Sequence, residues 1–542
     1  MGGTDFGQAC RWVLGAMLLF GGACFAESPN STESDETGTT GTTGVGSSDS
    51  GSGSGSGSES PSAGDTSTMG ETSATTDTTT DTSTGTGATG EIRAVHAAAG
   101  VGPVDIYLAG DATPLFDALA YAGASEWVEV PVGSWIFEFR PAGAAADSAP
   151  VHISVAVSVE EAERVTAIAS GLIDSEDRAS AFRVVALVED WGAPLAGRAR
   201  ARLVHAGPDA PTFGVDGVDV DAPLERFESS PAEGFGLDAS GGQRLRLLED
   251  VPVDPSTITS FTAPPLVEGD EVLLIAAGNL SSLAREAQGF SVVAIGQGGA
   301  LGVVRQDPQL FVLHGSRDAG SLETCAGDTE LAANVEYGEI QSARVSPGTY
   351  DVSIHNYPSG CGGQVFNTNS TGALEAGQRY LLLVTGEIAP EDAGEAGIQV
   401  TTFDDVFTLD DETSARLRFV HGASYTQIYV GSVVDDVIVS ANVYTQPIAW
   451  SVESEQVQIM AGVYLLGIAD AAGKPEPPYA PIVTVSFAAI GGARQWVIVA
   501  GDPTPEPSDG GLAGGFLQAI VVETTTPQWA VTIVDVEIPL AG

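Results

Sequence analysis

Four histidines recur at nearly even spacing in this 542-residue chain: His96, His205, His314 and His421, with steps of 205−96=109, 314−205=109 and 421−314=107. Histidine can act as acid, base or metal ligand near neutral pH, so a repeated one is the first candidate for chemistry. Each sits near the end of a short apolar run: Ile-Arg-Ala-Val-His-Ala, Ala-Arg-Leu-Val-His-Ala, Leu-Phe-Val-Leu-His-Gly and Leu-Arg-Phe-Val-His-Gly. Strand alternation places the histidines on the face of Ala94, Leu203, Val312 and Phe419. That is the core face, at a strand end, where an imidazole can hydrogen-bond the following turn. One framework position filled in four successive copies therefore reads as a structural repeat rather than a catalyst.

Other groups offer less. Asp216, Asp219 and Asp221, in Val-Asp-Gly-Val-Asp-Val-Asp, are weak calcium candidates, because calcium takes about six to eight oxygens and their spacing does not fit the twelve-residue calcium loop with its terminal Glu. A solvated acidic turn is the better reading, and no cofactor is expected. Cys325 and Cys361 are 361−325=36 residues apart. In an exported protein such a pair forms a disulfide, stabilising by roughly 4 kcal/mol through loop closure. A metal site would want more Cys or His ligands, and only His355 is close in sequence. Asp404-Asp405 with Asp410-Asp411-Glu412 reads as a charged linker. There is no Gly-x-Ser-x-Gly, no His-Glu-x-x-His and no phosphate-binding Gly-Lys-Ser/Thr loop, since Gly473-Lys474 is followed by Pro475. A triad would have to use His152 or His355, while a glycosidase needs only two carboxylates, which sequence spacing does not test. The expectation is a protein that is not an enzyme.

The elements that carry these residues repeat with them. A period near 109 residues is about one small sandwich domain. A turn glycine follows each histidine at Gly133, Gly242, Gly348 and Gly462, and a second glycine ends an apolar run at Gly171, Gly278, Gly386 and Gly501. In the first copy, strands are expected at Ile92–Ala97, Val104–Leu108, Trp127–Val130, Trp135–Arg140, His152–Val157, Val165–Ala169 and Phe182–Val188, with a short helix near Glu160–Arg164. Short strands, Gly/Pro turns and little helical periodicity predict an all-β chain, a tandem array of four antiparallel immunoglobulin-like β-sandwich domains. Their bounds are 91–196, 197–306, 307–411 and 412–542.

Two segments precede the array. Residues 1–26 read as a signal peptide, with Arg11 before an apolar stretch too short to span a membrane. Gly21-Gly22-Ala23-Cys24 is similar to a lipoprotein box that would lipidate Cys24; ordinary cleavage after Ala26 stays open as the alternative. Residues 27–90, rich in Ser, Thr, Gly and Asp, read as a disordered linker with too few apolar groups to offset chain entropy. The net charge of −51, from 72 acidic and 21 basic residues, excludes nucleic acid as a partner. It also limits membrane association to the N-terminal lipid. Solubility, in saline surroundings above all, and attraction of divalent cations follow from the same excess.

Val104-Asp-Ile-Tyr107 and Trp135 in the first copy, His205-Ala-Gly-Pro-Asp-Ala-Pro211 in the second, and Pro347-Gly-Thr-Tyr350 with Glu375-Ala-Gly-Gln-Arg-Tyr380 in the third together resemble the domain-of-unknown-function 4397 family (DUF4397). The resemblance implies bacterial exported β-sandwich domains, often in tandem, and supplies no activity or catalytic residue. Phe311 stands where the other copies have Arg93, Arg202 and Arg418, so that arginine is not essential to the fold. The expected role is a non-catalytic, exported protein, on the cell surface through an outer-membrane lipid anchor or secreted. It would bind or adhere to a surface polysaccharide or another surface protein through loops, with Tyr357, Trp191 and Tyr479 as candidate aromatics. A structural envelope spacer is the alternative, and a carboxylate-based polysaccharide hydrolase the more remote one.

Overall fold

The computed structural model describes residues 87–536 apart from 146, 155, 174, 221, 252–254, 389–396, 409–411, 424–425, 473–475, 502–516 and 535. The signal peptide, Cys24, nearly all of the 27–90 linker, Asp221 and the Asp410-Asp411 pair lie outside the described residues. From Ser83 onward the chain forms one compact unit.

The chain is all-β. Among the described residues the only helix is a single 3-10 turn, Ser440–Asn442. The helix expected near Glu160–Arg164 is instead a tight turn, with Glu163 N–H donated to Glu160 O at 3.2 Å. Trp135–Arg140 is not one strand. Gly133–Trp135 pairs with Val157–Val159, whereas Phe137–Pro141 pairs with Val104–Leu108. The chain changes partners at Ile136, as a strand does when it turns a corner of a sandwich. Phe116–Leu119 also forms a strand, from a Phe-Asp-Ala-Leu run without the β-branched residues that would have announced it.

Each copy packs two main sheets around its own apolar core, the first copy adding the two-stranded pair of Gly133–Trp135 with Val157–Val159. The histidine strands are β1 (Thr89–His96), β3 (Arg198–His205), β5 (Gln309–His314) and β7 (Ser414–His421). Each pairs with the strand ending at the second landmark glycine: β2 (Arg164–Ser170), β4 (Glu271–Ala277), β6 (Arg379–Thr385) and β8 (Arg494–Ala500). These four ladders are parallel, in one repeated register: Val95↔Ile168, Val204↔Ile275, Leu313↔Leu383, Val420↔Ile498. The remaining ladders between strands are antiparallel, so the sheets are antiparallel-dominated with one parallel pair per copy. A parallel pair needs a long crossover, and here the intervening residues supply the opposite sheet. The glycines that end β2, β4, β6 and β8 have φ of +109° at Gly171, +87° at Gly278, +90° at Gly386 and +98° at Gly501. A Cβ at Gly171 would lie 2.4 Å from Ala181 O, so both dihedral and space require glycine.

The histidine sheets are buried on both faces. One face enters the core of its own sandwich, through Ala94, Leu203, Val312 and Phe419. The other packs against a neighbouring sandwich. Val95, Ala97 and Ile168 of the first copy meet Val204, Leu273, Ile275 and Val293 of the second. Phe311, Leu313 and Leu383 of the third meet Val420, Trp496, Ile498 and Ile520 of the fourth. Such strands read as continuous apolar runs instead of alternating ones.

The residue three before each histidine faces this joint. Arg93 donates to Gly296 O of the second sandwich at 2.6 Å and pairs with Glu189 at 2.5 Å. Arg202 reaches back to Val188 O at 2.7 Å, and Arg418 to Asp404 O at 3.1 Å. Phe311 solves the same problem by stacking on Trp529, with ring centroids 3.9 Å apart.

Two aspartates hold the remaining joints. Asp307 is 1% exposed and accepts from Arg244 Nε at 2.9 Å and Ser260 Oγ at 2.6 Å. Asp405 is 0% exposed and gathers Arg285 of the second sandwich, Arg379 of the third and Thr524 of the fourth. The reading of Asp404-Asp405 as a charged linker is therefore corrected at Asp405: cations from two sandwiches neutralise it and make its burial tolerable. Asp404, with 55% of its side chain exposed, keeps the solvated role.

Candidate functional site

The four histidines are buried and bond the turns that follow them. Nε2 faces Gly102 O at 3.1 Å from His96, Pro211 O at 3.1 Å from His205, Gly320 O at 3.0 Å from His314 and Thr426 O at 2.7 Å from His421. A carbonyl only accepts, so Nε2 carries the proton. Nδ1 then accepts from Ala98 N–H at 3.3 Å in the first copy and from Ser316 N–H at 3.2 Å in the third. Burial lowers the pKa of His96 and His314, and that of His205 to about 4. At neutral pH the rings of His96, His205 and His314 are uncharged loop clamps.

This burial has a consequence for acid stability. In the unfolded chain a histidine protonates near pH 6.5, whereas folded His205 resists protonation down to about 4. Between those values the unfolded state binds more protons, so stability is lost as pH falls through that window. Urea midpoints measured from pH 7 to pH 4 are expected to fall progressively. His205→Gln, whose amide can still donate to Pro211 O, should show a shallower fall; equal slopes would refute the assignment.

The weaker candidates are dispersed. Asp216 is held by Arg246, which keeps its carboxyl below the usual range, and Asp219 is exposed. Among the described residues no three His, Cys, Asp or Glu side chains are gathered as a metal site would need. Cys325 and Cys361 form a disulfide with Cα atoms 5.7 Å apart. Tyr479 is 3% exposed and stacks on Tyr429, so it is not a loop aromatic. The Trp191 indole donates to Glu189 Oε2 at 3.4 Å, while Tyr357 is 41% exposed.

One serine–histidine pair escapes sequence inspection. Ser353 Oγ lies 2.7 Å from His355 Nε2. The two stand on one face of a strand, two residues apart, a spacing that also occurs without chemistry. His355 is 0% exposed, and its Nδ1 has no partner. Among the described residues no third group orients the ring, so the arrangement lacks what a nucleophile–base pair requires. His152 packs against Phe182, with centroids 4.5 Å apart.

The geometry that could receive a ligand is a cleft of about 700 Å³ at the loop end of the first sandwich. Val101, Pro103, Val151, Leu172 and Ile173 make it apolar, and Asn279 and Gln288 of the second sandwich close one side. Its origin lies four residues after the histidine. In the second copy Asp209 occupies that position and accepts from Leu280 N at 2.6 Å and Ser281 N at 2.9 Å. In the third, Asp318 accepts from Ile388 N at 2.8 Å. The first copy has Gly100, where a Cβ would meet nothing within 4 Å. Without the carboxylate staple the two loops stand apart. The Asn279 side-chain oxygen, beside the cleft, has no hydrogen-bond partner among the described residues. Comparison of the copies from +4 onward could have found this site.

The fold defines a tandem β-sandwich protein assembled in two face-to-face pairs. Residues 90–216 and 308–429 match the family described as Domain of unknown function (DUF4397). The two matches begin 308−90=218 residues apart, the span of one pair, since 314−96=218 as well. No curated protein matches the chain. Among solved structures, the Bacillus anthracis TIE protein is similar at 8% identity over 73% of this chain, with a TM-score of 0.12, too low to inform fold or function. The chain spans 65% of that protein's length.

Proposed function

We propose that this is an exported, non-catalytic binding protein whose recognition site is the cleft of the first sandwich. The observation that carries the reading is Gly100 in the place of the Asp209 and Asp318 staples of the second and third copies, which opens apolar surface in the first. Aliphatic side chains line the cleft, no aromatic ring does, and among the described residues no carboxylate does. Sugars are usually held by aromatic faces and cleaved by carboxylates. An extended segment of another surface protein suits this lining better, with an apolar side chain in the cleft and a backbone N–H donated to Asn279. Export is supported by the disulfide; among the described residues no helix is long and apolar enough to cross a membrane.

Panning a random-peptide display library against the full chain, beside a polysaccharide panel, tests this. Enriched peptides should carry an apolar residue and lose at least about tenfold in affinity to Leu172→Glu, the loss expected for about 1.4 kcal/mol. Enriched peptides whose binding ignores Leu172→Glu would overturn the site, and turnover of a polysaccharide would overturn the non-catalytic reading. Absence of any binding would favour the spacer, a role that the rigid joints between sandwiches also suit.

A further inference from the structure

A second cleft, of about 710 Å³, lies where the second, third and fourth sandwiches meet. In a chain with 21 basic residues against 72 acidic ones, it gathers Arg244, Arg246, Arg344 and Arg379. Three of these are matched: Arg244 by Asp307, Arg246 by Asp216 and Arg379 by Asp405. Arg344 is not. It donates to the Asp307 backbone oxygen at 2.9 Å and to Gln309 Oε1 at 3.2 Å, and no carboxylate among the described residues pairs with it. Burial lowers its pKa to about 10, so it stays charged at neutral pH. The Asp307 carboxylate acts on it only at a distance and is already engaged by Arg244, Ser260 and Thr262, so the guanidinium's planar donors still suit an arriving carboxylate.

The rest of the lining narrows the ligand. Glu249 and Glu330 stand at the same cleft and would repel a polyanion. They can accept hydrogen bonds from hydroxyls, as can the Gln378 side-chain oxygen, which is buried without a partner among the described residues. We infer that this cleft binds a sugar acid: one carboxylate on Arg344, with ring hydroxyls on Glu249, Glu330 and Gln378. The inference is independent of the first-sandwich cleft, because the two share no lining residue.

Titration calorimetry of the full chain with glucuronate, glucose and sodium sulfate tests it. Glucuronate should bind saturably, glucose at least about tenfold more weakly, and Arg344→Gln should lose about tenfold or more, the range of one charge-assisted contact. Arg344→Lys should recover part of that loss. If Arg344→Gln does not fold, Arg246→Gln decides, since that side chain is 48% exposed; its removal should weaken glucuronate binding through lost positive potential. Sulfate binding as tightly as glucuronate would overturn the sugar component, leaving a bare oxyanion site. Absence of glucuronate binding, or binding unchanged in both variants, would overturn the proposal.

Discussion

Asp405→Asn should destabilise the folded chain by about 3–5 kcal/mol, the cost of removing one partner from a buried ion pair. The substitution preserves shape, so the loss is electrostatic. Asp405 accepts from Arg379 Nε at 2.8 Å, Arg285 Nη1 at 3.1 Å and Thr524 Oγ1 at 3.0 Å. The Arg379 side chain is 5% exposed, and burial already lowers its pKa to about 10. Without the carboxylate, that cation has carbonyls but no counter-charge. Asp404→Asn is the control. Its carboxylate is largely solvated, and exposed ion pairs contribute about 0–1 kcal/mol. Chemical denaturation of the three proteins decides the matter: equal midpoints for Asp405→Asn and Asp404→Asn would sink the hub assignment.

Trp496→Ala is expected to cost about 3–5 kcal/mol, in the range for deleting a buried aromatic. The difference from an ordinary core mutation lies in where the loss falls. Trp496 is 0% exposed and sits between the third and fourth sandwiches, 5.3 Å from Phe407 and 5.1 Å from Trp529 by ring centroid. Its indole donates to Glu453 Oε2 at 3.2 Å, a carboxyl whose pKa burial raises. Removing it should uncouple the two sandwiches, so calorimetry should show the heat peak splitting. Leu466→Ala, inside the core of the fourth sandwich alone, should lower stability without uncoupling that interface. A single coincident transition in Trp496→Ala would show that the joint does not transmit cooperativity.

The sequence makes the internal framework of each sandwich readable and hides the joints. His96, His205, His314 and His421 could be assigned to the core face because alternation relates a side chain to its near neighbours. The parallel partnership of β1 with β2 could not, because it depends on a crossover of some dozens of residues and hairpin signals describe only adjacent strands. A clue to the second buried face was present in Leu381-Leu-Leu-Val384 and Val272-Leu-Leu-Ile275, apolar at every position. It says that both faces are covered, not by what. Asp405 was opaque for a sharper reason. An aspartate among acidic neighbours has the composition of a linker, and only Arg285, Arg379 and Thr524, brought from three sandwiches, make it interior. The first-sandwich cleft was hidden likewise, since Gly100 matters only against Asp209 and Asp318.

The unlike clamps at the joints mean that the copies carry addresses. Moving the first sandwich into the third place would set Arg93 against the Trp529 ring, and the reverse exchange would leave Phe311 facing Gly296 O with nothing to donate. A gene duplication inserting a fifth copy would present an apolar sheet face without its matching neighbour. Beads on a string can be shuffled and lengthened freely. This array grows only by whole pairs that bring their own seams, which fixes the order of the copies within it.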